Sequence, residues 1–291
     1  MLELNVCIPA RDRLITTKKT VESLRINTLR FDTVNIYIFD NLSNTTSERF
    51  ETFSSLLKNK DIQYYSYDTD VTTLGCFPKM VIHHKFHELM ELKQKISPPT
   101  ESTDVFYMLC DNDIIFNRDW DSYFISAAKA VGYREPELRY LVPEPGGVAT
   151  GFRKGSGLFD ILNEFNKKPY RALAASYGGG SGLWFSDSIQ FQKTKPEISD
   201  ILQTKGYFKK HDSTLWTKFK RKAEGKHYVA TITPHPSDYP LALHLGGIVG
   251  SMCNSLIKNS YYDNKFLEQE KEIENMTISD IISKYPDLAK W

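Results

Sequence analysis

The first part of the chain alternates between short apolar runs and longer segments with helical patterning, and this alternation constrains the fold most. The apolar runs predict four strands, at Leu4–Pro9, Val34–Phe39, Ile62–Tyr67 and Val105–Cys110. The segments between them predict helices at Thr16–Leu29, Ser47–Lys58 and Lys79–Lys95. Such alternation is typical of an α/β protein with a parallel sheet and right-handed crossovers.

Polar residues directly follow three of these predicted strands. The three elements are Pro9-Ala10-Arg11-Asp12, Asp40-Asn41 and Asp111-Asn112-Asp113. Ligands of open α/β sheets bind outside the carboxyl ends of the strands. We therefore expect these three elements to converge on one crevice.

The second part of the chain carries sparser signals. Short strands are predicted at Leu183–Phe185 and Tyr228–Thr233, and helices at Asp212–Arg221 and over most of Ser251–Trp291. Two glycine-rich stretches, at 143–147 and 178–182, are interpreted as loops.

Composition excludes several classes of protein. The formal net charge is +1, so overall charge indicates no partner, and the four cysteines are dispersed without a C-x-x-C pair. The first residues lack the pattern of a signal peptide, and no stretch of about 18 apolar residues runs uncharged. We therefore expect a cytoplasmic protein without disulfides or a membrane span.

The D-x-D element formed by Asp111 and Asp113 has two interpretations. Carboxylates at the end of a buried strand are suitable ligands for Mg²⁺ or Mn²⁺, which prefer oxygen. The same pattern also occurs where aspartates cap a turn. An EF-hand is excluded, because Ile115 and Phe116 stand where that loop needs an oxygen ligand and a glycine.

Five short elements in a fixed order carry a resemblance to a known family. They are Ile8–Arg13 (IPARDR), Phe39–Asn44 (FDNLSN), Asp111–Asp113 (DND), His211–Trp216 (HDSTLW) and His244–Gly246 (HLG). In this respect the chain, from about Leu4 to Gly247, resembles the GT-A fold glycosyltransferases, most closely the inverting family 2 type. It departs from that pattern at Asn44, where the family has Asp, and at His211, where it usually has Glu.

The resemblance implies a GT-A architecture, in which a Rossmann-like nucleotide-binding half with a mixed central sheet joins an acceptor half. Residues 1–250 would form one catalytic domain, with the nucleotide-sugar half at 1–113, the acceptor half at 114–250 and a helical extension at 251–291. It implies a nucleotide-sugar donor, with UDP-sugar as the expected class. The implied donor-binding residues are Pro9, Ala10, Arg11, Arg13, Asp40, Asn41, Lys79, Asp111 and Asn112.

The resemblance also implies a metal-dependent reaction that inverts the anomeric centre. Asp113 and His244, with Asp111, would hold Mn²⁺ or Mg²⁺, and Asp212 would act as the catalytic base. His244 has a competing interpretation as a core histidine. Asp212 can also serve as a plain helix N-cap, and the two roles are compatible.

The acceptor is the least defined part. Gly180 and Ser181 form either a flexible turn or a close backbone approach to a sugar, with Trp184 as a stacking floor. Lys210 and His211 flank the implied base, inside a basic segment at Lys205–His227. This segment suits a polyanionic acceptor such as a surface glycan or hydroxymethylated-base DNA, or it is an ordinary solvated surface.

Two other functions fit parts of the pattern. One is a sugar-phosphate nucleotidyltransferase, although Pro9–Arg13 lacks the glycines of that class. The other is a non-catalytic nucleic-acid or glycan-binding module, which the retained Asp212 and His244 disfavour. A cluster of His83, His84 and His87 is interpreted as a polar helix face, because no third metal ligand is in register.

Overall fold

The computed structural model of the protein describes residues 1–11, 13–41, 54–55, 58–66, 78–118, 120–121, 125, 138–143, 171–174, 183–193, 195, 228–233, 242–245 and 260–284. The strands in these ranges are β1 (Leu2–Ala10), β2 (Thr33–Asp40), β3 (Ile62–Ser66), β4 (Asp104–Cys110), β5 (Ile114–Phe116), β6 (Leu138–Pro143), β7 (Arg171–Ala174), β8 (Leu183–Asp187), β9 (Tyr228–Thr233) and β10 (Ala242–His244). The helices are α1 (Leu14–Asn27), α2 (Pro78–Ile96), α3 (Ser188–Lys193), α4 (Ser260–Glu274) and α5 (Ile278–Lys284). Within the described parts of the chain, no helix combines the length and apolar character needed to cross a bilayer.

One mixed sheet organises the described residues. Its eight strands run in the order β3-β2-β1-β4-β8-β6-β9-β7. The first four pair in parallel, β8 lies antiparallel to both β4 and β6, and β9 pairs parallel with β6 and antiparallel with β7. The predicted α/β class with a mixed central sheet is confirmed, and strands from both halves of the chain join in this sheet.

The main core lies between one face of this sheet and helix α2. Side chains from alternate strand positions, such as Cys7, Tyr37 and Tyr107, pack against Phe86 of α2 and Phe191 of α3. Strand β1 is a central strand whose successive residues are buried on both faces of the sheet, which explains its near-continuous apolar run. This packing holds the carboxyl ends of β1, β2 and β4 in place.

A second apolar cluster lies beneath the ribbon formed by β5 and β10. Ile115 of β5 and Leu245 pack against Ile273 of α4 and against Ile278 and Ile281 of α5. Helices α4 and α5 lie in the segment for which helices were predicted, and α4 also contacts α1. The C-terminal helices are therefore attached directly behind the D-x-D element.

The histidine cluster is buried, so its interpretation as a polar helix face is wrong. His83 and His87 are each 1% exposed, and their Nε2 atoms lie 3.0 Å apart. The ring of His87 stacks on Phe191 at 3.7 Å, and Phe191 in turn stacks on Tyr107. The helical spacing was read correctly, but α3 covers this face, which the sequence of α2 alone does not indicate. Burial lowers the pKa of His83 to about 3, so the pair is neutral at physiological pH.

Candidate functional site

The carboxyl ends of β1, β2 and β4 meet at one edge of the sheet. Ala10 lies opposite Asp40 in the β1–β2 register, and Cys7 lies opposite Leu109 in the β1–β4 register. The backbone N–H of Asn41 donates to the carbonyl of Ala10 at 2.9 Å. The three polar elements that follow these strands are therefore neighbours, as their positions in a parallel sheet predict.

Asp40 is held at this edge by a tyrosine from the next strand. Its carboxylate is 2% exposed and accepts a hydrogen bond from the hydroxyl of Tyr64. Tyr64 lies on β3 opposite Ile38. A hydroxyl from an adjacent strand thus fixes the orientation of the carboxylate that we expect to contact the nucleoside.

Asp113 is paired with a cation supplied by the chain itself. Nη1 of Arg13 donates to Oδ2 of Asp113 at 2.8 Å, and the two side chains are only 2% and 6% exposed. A buried carboxylate needs a partner, since losing hydration alone costs several kcal/mol. We expected a divalent ion in this role, and the structure places the guanidinium of Arg13 there. The assignment of Asp113 as a metal ligand and of Arg13 as a donor-binding residue stays a prediction.

The middle residue of the D-x-D element contacts the start of helix α1. Nδ2 of Asn112 donates to Oγ1 of Thr17 at 3.0 Å, and Thr17 in turn donates to the carbonyl of Arg13 at 2.6 Å. Asn112 is 5% exposed. The loops after β1 and β4 are therefore joined through the first turn of α1.

Helix α1 receives its N-terminal cap from the far end of the chain. The residue at the N-cap position, Arg13, makes no capping hydrogen bond with its side chain. Instead, Oε1 of Glu270 accepts from both the backbone N–H and the hydroxyl of Thr16, each at 3.0 Å. A carboxylate here satisfies an otherwise unpaired helix N–H and lies at the positive end of the helix dipole.

A closed chain of hydrogen bonds links Arg13, Asp113, Leu245 and Gln269. Nη2 of Arg13 donates to Oε1 of Gln269 at 2.9 Å, and Nε2 of Gln269 donates to the carbonyl of Leu245 at 3.1 Å. The N–H of Leu245 then donates to the carbonyl of Asp113 at 2.9 Å. Because Arg13 also pairs with Asp113, these bonds form a closed ring that fixes the positions of the four residues relative to one another.

The backbone of His244 lies beside the D-x-D element. Strand β10 pairs antiparallel with β5, with His244 opposite Ile114 and Leu243 opposite Ile115. His244 and Asp113 are thus at neighbouring positions of adjacent segments. The side chain of His244 lies outside the described residues, and its role as a metal ligand stays a prediction.

The donor set at this edge fits a hard or borderline divalent cation. Asp111 and Asp113 offer carboxylate oxygens, and the backbone brings His244, an imidazole-bearing residue, next to them. Among the side chains that the structure describes, no group of three or more His, Cys, Asp or Glu residues forms a metal site by itself. A cation site at this edge would therefore take at least one ligand from beyond these described side chains, and His244 stays the predicted one.

The remaining predicted site residues fall into three groups. Pro9 and Ala10 end β1, and Arg11 is partly exposed beyond them. Only the backbone is described for Lys79, at the start of α2, and for Trp184, in β8. The others lie outside the described residues; they are Gly180, Ser181, Lys210, His211 and Asp212, with the rest of the basic segment up to His227.

Strand β8 begins beside the D-x-D element. Leu183 lies opposite Cys110, the last residue of β4, and Trp184 lies opposite Leu109. Since β8 runs antiparallel to β4, its first residue lies at the carboxyl end of β4. The glycine-rich stretch at 178–182 lies outside the described residues.

Sequence reasoning missed Tyr64, Thr17, Gln269 and Glu270 as members of this region. Each acts through a hydrogen bond to a residue far away in the chain. One signal was available for the last two. Gln269 and Glu270 share the buried face of α4 with Ile273, and polar residues on an apolar helix face indicate a specific partner.

Comparison with known proteins finds only remote similarities between structures. No protein-family model matches the chain, and no curated protein matches it by sequence. Among solved structures it is similar to S. aureus TarS 1–349, with a TM-score of 0.46, 11% identity and coverage of 80% of this chain and 58% of that chain. For TarS 1–349 in complex with UDP-GlcNAc the TM-score is 0.44 and the identity 12%, over 80% of this chain and 56% of that chain.

A third similar structure is the mannosyltransferase PcManGT from Pyrobaculum calidifontis in complex with GDP-Man and Mn²⁺. Its TM-score is 0.43 at 9% identity, over 98% of this chain and 73% of that chain. The chain thus spans little more than half of the TarS structures that it matches. Likenesses at this level assign neither a family nor a ligand to the protein.

Proposed function

We propose that the protein is a metal-dependent inverting glycosyltransferase that moves a sugar from a nucleotide-sugar donor, with UDP-sugar as the expected class, to an acceptor hydroxyl. The observation that carries this proposal is the meeting of Asp40 and the Asp111–Asp113 element at one sheet edge, with the backbone of His244 beside them. This is the arrangement that the order of the five sequence elements implies for a nucleotide-diphosphate site.

Different residues at this edge would bind different parts of the nucleotide-sugar donor. Asp40, oriented by Tyr64, accepts hydrogen bonds from the ribose or base of the donor. Asp113, Asp111 and His244 would hold Mn²⁺ or Mg²⁺, which offsets negative charge on a leaving diphosphate. Arg13 orients the carboxylate of Asp113, because the two side chains form an ion pair in a region from which water is largely excluded.

The acceptor side is assigned to the second half of the chain. Asp212 takes the proton from the acceptor hydroxyl as its oxygen attacks the anomeric carbon, and a single displacement inverts that centre. The glycine-rich stretch at 178–182 would approach the reacting sugar; in support, Leu183, the residue that follows it, lies opposite Cys110. The basic segment at Lys205–His227 would contact a polyanionic acceptor, either a surface glycan or DNA with a hydroxymethylated base.

A donor screen tests the proposal directly. Purified protein is incubated with common UDP- and GDP-sugars and Mn²⁺ or Mg²⁺, and release of the nucleoside diphosphate is measured. We expect release with one donor class, loss of release on adding EDTA, and loss in the D113N variant. A matched surface variant, D61N, should behave as wild type, because Asp61 makes a solvent-exposed pair with Arg25.

Two outcomes would contradict the proposal at different levels. Activity that resists EDTA would remove the metal roles of Asp113 and His244 while leaving a transferase. Failure to bind or turn over any nucleotide-sugar would remove the transferase itself.

A further inference from the structure

Gln269 has a side chain that is unusual for its position. It lies on α4 with only 4% exposure, on the face that also carries the fully buried Ile273. A buried amide is costly unless both its carbonyl and its amino group find partners. For Gln269 both are satisfied, and neither partner belongs to its own helix.

The two ends of this amide contact two different parts of the candidate site. Its Oε1 accepts from Nη2 of Arg13, whose Nη1 donates to Asp113. Its Nε2 donates to the carbonyl of Leu245, the residue directly after His244. Only a side chain with a donor and an acceptor at its tip can make both contacts, so neither leucine nor glutamate replaces it.

These contacts act on the two segments that carry the predicted metal ligands. One holds the guanidinium of Arg13 against Asp113, and the other holds the end of β10 next to the same loop. The direct bond from the N–H of Leu245 to the carbonyl of Asp113 completes the link. The separation between residues 113 and 244 is thus set partly by Gln269 of helix α4.

We propose that Gln269 is a positioning residue, which orients Arg13 and Asp113 relative to His244 for binding a divalent cation together with a nucleoside diphosphate. This inference rests on the proposed function. It gives α4 a role in the site itself, in addition to covering the apolar cluster beneath β5 and β10. Residues that orient metal ligands typically change metal affinity about 10- to 100-fold when replaced.

The experiment measures Mn²⁺ binding to the full chain in the presence of UDP, by electron paramagnetic resonance of free Mn²⁺ and by calorimetry. We expect Q269L and Q269E to weaken Mn²⁺ binding about 10-fold or more relative to wild type. Q269E keeps the volume of the side chain but loses the donor to Leu245 and adds a carboxylate that competes for Arg13. If Q269L does not fold, the Mn²⁺ affinity of Q269E alone tests whether Gln269 is a positioning residue.

I273A is the matched control, because Ile273 lies one turn along the same buried face and its side chain packs in the apolar cluster. Its unfolding midpoint should fall while its affinity for Mn²⁺ stays within about twofold of wild type, since a cavity there removes packing without touching the hydrogen bonds. A purely structural role for Gln269 predicts instead that all three variants lose stability and keep Mn²⁺ affinity.

The outcomes separate this inference from the function beneath it. If wild type binds Mn²⁺ with UDP and both Gln269 variants bind it equally well, Gln269 is not a positioning residue and the proposed function is unaffected. If wild type itself binds no Mn²⁺ with any nucleoside diphosphate, the metal-dependent function fails, and this inference with it.

Discussion

Replacing Arg13 with methionine removes the cation that lies against Asp113 and leaves most of the volume of the side chain in place. In the R13M variant the carboxylate of Asp113, 6% exposed in the wild type, has lost the guanidinium 2.8 Å away. The acceptor oxygen of Gln269 loses its donor at the same time. The variant therefore tests whether the buried pair organises this edge of the sheet.

The magnitude follows from the burial of the pair. Two charges whose centres are about 4 Å apart interact by about 4 kcal/mol at an effective dielectric constant of about 20. Removing one partner of a buried pair destabilises a protein by about 3–5 kcal/mol, because the other charge stays buried without compensation. For a chain of 291 residues, with an unfolding entropy of about 2.1 cal/mol/K per residue, that corresponds to a fall in melting temperature of roughly 5–8 °C.

Urea unfolding followed by circular dichroism measures this change, with two comparison variants. R25M breaks the pair between Arg25 and Asp61, whose side chains are 39% and 33% exposed, and should cost no more than about 1 kcal/mol. The double variant R13M/D113N removes the uncompensated charge and should recover most of the loss seen in R13M. R25M removes one positive charge, as R13M does, so it controls for a general effect of charge.

Two results would refute this reasoning. In the first, R13M unfolds at the same urea concentration as R25M, which would mean that the Arg13–Asp113 pair behaves as a surface pair. Alternatively, R13M/D113N would be no more stable than R13M, which would mean that the loss came from packing of the Arg13 stem and not from the charge on Asp113.

Three further predictions concern catalysis, acid stability and the acceptor. D212N should abolish transfer while binding of UDP and metal persists, and turnover near the wild-type rate would exclude Asp212 as the base. Because burial lowers the pKa of His83 to about 3, the unfolded chain binds a proton that the native state does not, so stability is full above pH 6.5 and falls towards pH 3. In H83Q, the free energy of unfolding should fall less steeply with decreasing pH, by up to about 1.4 kcal/mol per pH unit, and its pH dependence near pH 8 should not change. Urea titrations at several pH values measure this slope, and an unchanged acid slope would contradict the prediction. The affinity for a polyanionic acceptor that binds through Lys205–His227 should fall steeply as the salt concentration rises. An affinity that does not depend on salt would mean that this segment does not bind the acceptor.

The strands of the first part of the chain were predictable because each is a near-continuous apolar run. Leu4–Pro9 was predicted where β1 covers Leu2–Ala10, and Tyr228–Thr233 was predicted with the bounds that β9 has. Strands β5 and β10 were not predicted. Each has three residues, too few for a periodic pattern, and they pair across a long separation in the chain.

The candidate site was predictable only as far as local sequence determines it. The neighbouring positions of Asp40 and the D-x-D element follow from strand ends in a parallel sheet. The pairing of Asp113 with Arg13 does not, because these residues are 100 positions apart and nothing near either one specifies the other. The same holds for Gln269, 256 positions from Arg13, whose partners become visible only when α4 is placed against α1.

The cap that Glu270 provides for α1 has a consequence for biosynthesis. The capping carboxylate lies 254 positions after Thr16, so at about 5–20 residues per second the ribosome adds it roughly 13–50 s later. During that interval the N–H of Thr16 lacks its carboxylate partner. A nascent chain that has not yet extruded α4 also lacks the contact from Gln269 to Arg13, so the segment after β1 completes its hydrogen bonds only once α4 has emerged.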